Sequence, residues 1–130
     1  MERKIVLITG ATSGIGEGCA HRFADGGYNL IITGRNEQKL NAMKQEFEHD
    51  GTEVLVLCFD VRDRKAASAA IESIPERWQN IDVLINNAGL ALGLEKEYEG
   101  DMTDWDIMID TNIKGLLTMT RLLVPRTVAR

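Results

Sequence analysis

Short apolar runs alternate with segments of helical periodicity from the start of the chain. Lys4 to Thr9 is a continuous apolar run ending at Gly10, as in a strand buried on both faces. From Gly14 to Ala24 the spacing turns helical, with Ile15, Cys19 and Phe23 four residues apart as the apolar stripe, and Gly26-Gly27 stops the pattern. Asn29 to Thr33 is a second strand, ended by Gly34. Asn36 then caps a helix whose stripe is Leu40, Met43 and Phe47 and which closes at Asp50-Gly51. Val54 to Phe59 predicts a third strand, and Asp63 the cap of a third helix with Ala66, Ala67, Ala70, Ile71 and Ile74 inward and Pro75 beyond its end. Ile81 to Ile85 is a fourth strand, followed by Asn86-Asn87-Ala88-Gly89 and a loop from about Leu90 to Gly100. The last helix starts near Thr103 and runs to Arg130, with Trp105, Ile109, Asn112, Leu116, Met119 and Leu123 as its core stripe.

Alternating strands and helices, with strands of the buried type, predict βαβ crossovers onto a parallel sheet. The expected fold is α/β: a Rossmann-type doubly wound parallel sheet in three layers, α/β/α, occupying residues 1–130 as one domain. The last helix carries no stop signal, and a fold of this kind feeds its helix into another strand, so the domain reads as the N-terminal part of a longer one. That predicts an unpaired edge on the fourth strand, an uncovered apolar helix face and association with another chain.

Composition removes several function classes. An apolar fraction of 44% supports a packed core, and a net charge of -5 argues against a nucleic-acid binder, which needs a basic face. Cys19 and Cys58 stand far apart in no metal-ligand spacing, which predicts two buried thiols in a reducing compartment and no metal site. No apolar run reaches the ~20 residues of a membrane helix, and Ile5-Val6-Leu7-Ile8 is too short for a signal-peptide core. A cytoplasmic location is expected, without a membrane partner.

The chemistry-bearing segment is Thr9-Gly10-Ala11-Thr12-Ser13-Gly14-Ile15-Gly16, between a strand and a helix. Gly10 permits a tight turn, Gly14 leaves room for an approaching pyrophosphate, and Gly16 lets the helix pack close to the sheet. The helix N-terminus directs N–H groups at the phosphates, Thr12 and Ser13 add hydroxyls, and Ile15, between Gly14 and Gly16, is counted with them as a cofactor-binding candidate. A glycine-rich turn without a ligand is the alternative. No Gly-Lys-Ser/Thr follows, so a nucleotide-triphosphatase loop is not indicated.

Gly10-x-x-x-Gly14-Ile15-Gly16 together with Asn86-Asn87-Ala88-Gly89 resembles the short-chain dehydrogenase/reductase family, over the whole chain but only about the first half of a typical member. The second strand ends in Gly34-Arg35-Asn36 instead of an acidic residue. Gly34 offers no carboxylate to a ribose 2′-hydroxyl, whereas Arg35 suits a 2′-phosphate, so NADP is expected over NAD. The resemblance implies that Asp60 meets the adenine amino group, that Val61 meets the adenine ring, and that Asn87, Ala88 and Gly89 lie along the cofactor. Asp60 alone reads equally as a turn or cap residue, and the Asn-Gly run as turn chemistry.

The family's chemistry is hydride transfer between a nicotinamide and a carbonyl or alcohol carbon. Of its catalytic residues the resemblance carries over only one: Asp110-Thr111-Asn112-Ile113-Lys114-Gly115 matches the helix segment that holds a proton-relay asparagine, here Asn112. By itself a mid-helix asparagine is also a kink residue. Tyr28 is followed four residues on by Ile32, and Tyr98 by Met102, so residues 1–130 contain no Tyr-x-x-x-Lys pair. These residues are therefore expected to hold cofactor without turning over substrate.

Residues 87–95 with Asp104-Trp105 and residues 108–116 resemble a bacterial branch of NADP-dependent 3-hydroxy acid dehydrogenases, implying a small hydroxy acid or carbonyl substrate. The resemblance also implies a homo-oligomer, through the last helix. Two other classes compete. One is a non-catalytic dinucleotide-binding or scaffold module. The other is a methyltransferase, which Gly34-Arg35 disfavours for want of an acidic residue closing the second strand.

Overall fold

The structure, a computed structural model, describes residues 3–12, 14–87 and 114–128. Four strands, β1 (Ile5–Ile8), β2 (Asn29–Gly34), β3 (Val54–Cys58) and β4 (Val83–Ile85), form one sheet in the order β3-β2-β1-β4. All three pairings are parallel, with Val6 opposite both Leu30 and Val83, and Ile32 opposite Val56. Helices α1 (Gly14–Asp25), α2 (Glu37–His49), α3 (Arg64–Glu72) and α4 (Gly115–Val128) connect or follow the strands, with a 3-10 turn over Glu76–Trp78.

The period-two alternation of β1 explains the two cores. Val6 and Ile8 join Leu30, Ile32, Ala20, Leu40, Met43 and Phe47 on the face covered by α1 and α2. Ile5 and Leu7 join Ile31, Ala67, Ile71, Met119 and Leu123 on the face covered by α3 and α4. The doubly wound three-layer fold expected from the sequence is present. Both side-chain caps are also as expected: Asn36 Oδ1 accepts from the Lys39 N–H at 3.1 Å, and Asp63 Oδ1 from the Ala66 N–H at 3.0 Å. Gly51, at φ +90°, follows the end of α2.

Three expectations need correction. The inward face of α1 is Gly16 and Ala20, with Cys19 and Phe23 beside it, while Ile15 is 77% exposed. Hydropathy cannot recognise a glycine as an inward residue, so the apolar stripe lies one position out of phase with the buried face. Cys58 is exposed, because it closes β3, the edge strand; Cys19 is half-buried. On α4, Met119 and Leu123 are buried as expected, but Leu116 is 40% exposed, the inward turn there being taken by Gly115. Trp105, Ile109 and Asn112 lie outside the described residues. Among those described, no helix is long and apolar enough to cross a membrane.

Candidate functional site

The chain leaves β1 toward β2 and β3, then returns to place β4 on the opposite side of β1. The sheet order therefore reverses between β1 and β4, and in open α/β sheets the crevice at the carboxyl ends of such strands is where ligands bind. The glycine-rich turn, the end of β2, the residues after β3 and Asn86-Asn87 all gather at this end.

Gly10 has φ +60°, the left-handed region that favours glycine, and turns the chain off β1. The Ala11 N–H donates to the Thr33 carbonyl at 3.0 Å, fastening the turn to β2. Gly16 lies against the turn: an added Cβ would overlap the Gly10 carbonyl oxygen and stand 2.5 Å from Asn87 Nδ2. At Gly14 nothing lies within 4 Å of an added Cβ, so its surroundings are open. Ser13 lies outside the described residues.

The β4 side is built by hydrogen bonds. The Asn87 N–H donates to Thr9 Oγ1 at 2.9 Å, and Thr9 Oγ1 donates to the Ile85 carbonyl at 3.4 Å. Asn87 Nδ2 donates to the Gly10 carbonyl at 3.2 Å. Asn86 turns to the other layer, donating through Nδ2 to Thr120 Oγ1 at 3.1 Å on α4. One asparagine thus ties β4 to the turn and the other ties it to a helix. Ala88 and Gly89 fall outside the described residues.

At the β2 end, Gly34 leaves room for Thr12, whose hydroxyl is 3.5 Å from where a Gly34 Cβ would stand. The Arg35 side chain is 60% exposed, with Nη1 4.0 Å from Asp60 Oδ2. Asn36 caps α2 through its Oδ1. Lys39, one turn into that helix, reaches back: its Nζ donates to the Thr12 carbonyl and lies 3.6 Å from Glu17 Oε2.

After β3, Asp60 is gripped by Arg62. Its carboxylate accepts from Arg62 Nε at 3.1 and 3.0 Å, from Nη2 at 2.6 Å and from the Arg62 N–H at 2.9 Å. Those bonds, with the charges of Arg62 and Arg35 and against an opposing effect of burial, hold the Asp60 carboxyl below the usual carboxylate range. The Asp60 carbonyl also accepts from the Asp63 N–H at 2.9 Å, so the turn reading of Asp60 is correct as far as it goes. Val61 is buried in the α3/α4 core.

Sequence reasoning missed Arg62 and Lys39. Arg62 carried a faint signal, an arginine two residues after an aspartate in a tight turn. Lys39 carried a better one, a cation in the first turn of a helix, where the macrodipole disfavours it. A groove of about 570 Å³ near Lys4, Glu53, Arg77 and Asp82 lies at the amino ends of the strands, away from this crevice.

Strand-turn-helix glycines, a switch-point crevice and a cationic corner in an acidic chain define a dinucleotide-binding α/β fold. The short chain dehydrogenase family matches residues 4–130, and the chain belongs to it. It is 50% identical over 126 residues to the NADP-dependent 3-hydroxy acid dehydrogenase YdfG of Salmonella typhi, covering 97% of this chain and 50% of that protein. Among solved structures, serine dehydrogenase from Escherichia coli superposes with a TM-score of 0.90 at 46% identity, over 97% of this chain and 57% of that one. A closed form of serine dehydrogenase complexed with NADP+ also gives 0.90 at 46% identity, over 97% of this chain and 50% of that one. The chain spans about half the length of the curated relatives it matches.

Proposed function

We propose that this chain is the cofactor-binding half of an NADP-dependent oxidoreductase that acts on a small 3-hydroxy acid or the corresponding carbonyl compound. The observation that carries the reading is the pairing of an open glycine-rich turn with Arg35 at the end of β2. The turn has the features a pyrophosphate needs: the left-handed Gly10, the open surroundings of Gly14, and a helix N-terminus whose first N–H groups lack intrahelical acceptors.

Gly10, Thr12, Ser13, Gly14, Ile15 and Gly16 are assigned to the pyrophosphate side. Arg35 and Asn36 are assigned to the 2′-phosphate, Asp60 and Val61 to the adenine, and Asn87, Ala88 and Gly89 to the nicotinamide ribose. For Asp60 to accept from an adenine amino group, Arg62 has to yield one of the lone pairs it now occupies. The bound dinucleotide would supply the hydride chemistry. Asn112 is assigned to proton handling.

The names of the relatives support NADP and a hydroxy acid substrate. A homo-oligomer is proposed from the side chains that α4 leaves exposed, Leu117 and Val124 among them. A cytoplasmic site of action is proposed from the absence of an apolar run of membrane-spanning length in the sequence.

The test is to titrate the chain and its Arg35→Ala variant with NADP+ and with NAD+. Wild type should prefer NADP+ by at least about tenfold, and Arg35→Ala should lose most of that preference while keeping its NAD+ affinity. Equal wild-type affinity for the two dinucleotides would defeat the assignment of NADP.

A further inference from the structure

The geometry points to Lys39 as a second specificity-determining residue, a cation that shares the 2′-phosphate with Arg35. This inference rests on the NADP reading above and deepens it.

A lysine in the first turn of an α-helix stands against the macrodipole, so its presence at that place in α2 is not explained by helix stability. The side chain does not run out along α2 into solvent. It folds back across the β2 end, and its ammonium stops at the carbonyl of Thr12, 2.5 Å away, with Glu17 Oε2 at 3.6 Å. Those contacts place a positive charge at the junction of the glycine-rich turn, α1 and α2.

The 2′-phosphate assigned to Arg35 has to lie at the end of β2. Thr12 covers that same end, since its hydroxyl is the nearest group to a Cβ placed on Gly34. Arg35, the residue after Gly34, has a largely exposed side chain near Asp60, and Lys39 is anchored at Thr12. An ammonium has three donors, and among the described residues the Thr12 carbonyl and Glu17 engage Lys39. The side chain is 45% exposed, so a phosphate can reach it without a change of fold. Asn36 fixes the approach: its cap bond to the Lys39 N–H sets the first turn from which the lysine springs. Arg62, by contrast, is already spent on Asp60.

The alternative role for Lys39 is a tether that holds the turn in shape for any dinucleotide. The two roles differ in what they do to NAD+, which has no 2′-phosphate. The experiment is equilibrium titration of wild type, Lys39→Gln and Lys39→Arg with NADP+ and NAD+, each variant first checked for an unchanged thermal melt. Glutamine keeps a donor for the Thr12 carbonyl and removes the charge. Lys39→Gln should weaken NADP+ by about tenfold, the loss of one charge-assisted phosphate contact, with NAD+ within about twofold of wild type. Lys39→Arg should restore most of the NADP+ affinity. Equal losses for both dinucleotides, or no loss for either, would overturn the inference while leaving the NADP preference of wild type standing. A wild type without that preference would overturn the NADP reading itself, and this inference with it.

Discussion

The side-chain amide of Asn87 donates to the carbonyl of Gly10 at 3.2 Å, across the point where the sheet order reverses. The same carbonyl fills the space that a Cβ on Gly16 would need. The start of α1 and a residue 77 positions away in sequence therefore meet at one peptide group. The turn is held from the β4 side by Asn87, from the β2 side by Thr33, and from beneath by α1. Such a junction holds the turn in one shape before any ligand arrives, and that preorganisation favours binding.

The two glycines of the helix start should respond in opposite ways. Gly16→Ala has no room for its methyl and should cost about 2–3 kcal/mol, in the range of overpacking. Gly14→Ala meets nothing within 4 Å and should leave stability within about 0.5 kcal/mol of wild type. Chemical denaturation of both variants checks this. An equal cost at the two positions would mean that the crowding at Gly16 is not what requires glycine there.

Asn87→Ala removes the donor to Gly10 and should destabilise the chain by about 1 kcal/mol. Its effect on dinucleotide affinity should exceed what that loss implies, because the turn would be less well preset. Denaturation and titration of the same preparation separate the two effects. A variant that melts early but binds as wild type does would leave Asn87 a structural residue only.

The Asp60–Arg62 pair gives a pH signature. The folded pKa of Asp60 lies below its ordinary value of 3.8, so its contribution is fully present above that value and is lost as pH falls through the folded pKa. Wild type should exceed Asp60→Asn by about 1 kcal/mol between pH 5 and 8, the scale of a partly exposed ion pair. The gap should close below about pH 4. Thermal melts across that range are the check, and a gap that widens on acidification would contradict the sign.

Cys58 offers a chemical reporter. Its thiol is exposed and donates to the Arg35 carbonyl at 3.6 Å, so it sits beside the proposed 2′-phosphate position. NADP+ should slow its alkylation several-fold, with Cys58→Ser identifying the reacting thiol by mass. Unchanged labelling at saturating NADP+ would move the adenosine end away from β3.

Much of the fold was legible because the relevant signals are local. Leu40, Met43 and Phe47 repeat at helical spacing, Asp63 sits where a cap belongs, and Gly10 marks a turn that needs positive φ. The errors came from contacts between segments. Gly16 and Ala20 face the sheet because α1 packs close to it, and no hydropathy scale marks such residues as inward. Cys58 is exposed because β3 lies at the sheet edge, a property of strand order rather than of the residues. Of the candidate site, the glycines, Arg35 and Asn87 could be named from sequence. Lys39 and the grip of Arg62 on Asp60 could not, since a side chain folding back over a neighbouring turn leaves no periodic trace.

The account stands on where the dinucleotide binds, and amide chemical shifts of the isotope-labelled chain titrated with NADP+ measure that most directly. The predicted result is saturable shifts at Gly10, Thr12, Gly14 to Gly16, Arg35, Lys39 and Asn87, with the residues around Glu53 and Arg77 at the opposite end of the sheet unmoved. Saturable binding that shifts the Glu53–Arg77 groove and leaves the glycine-rich turn silent would contradict it.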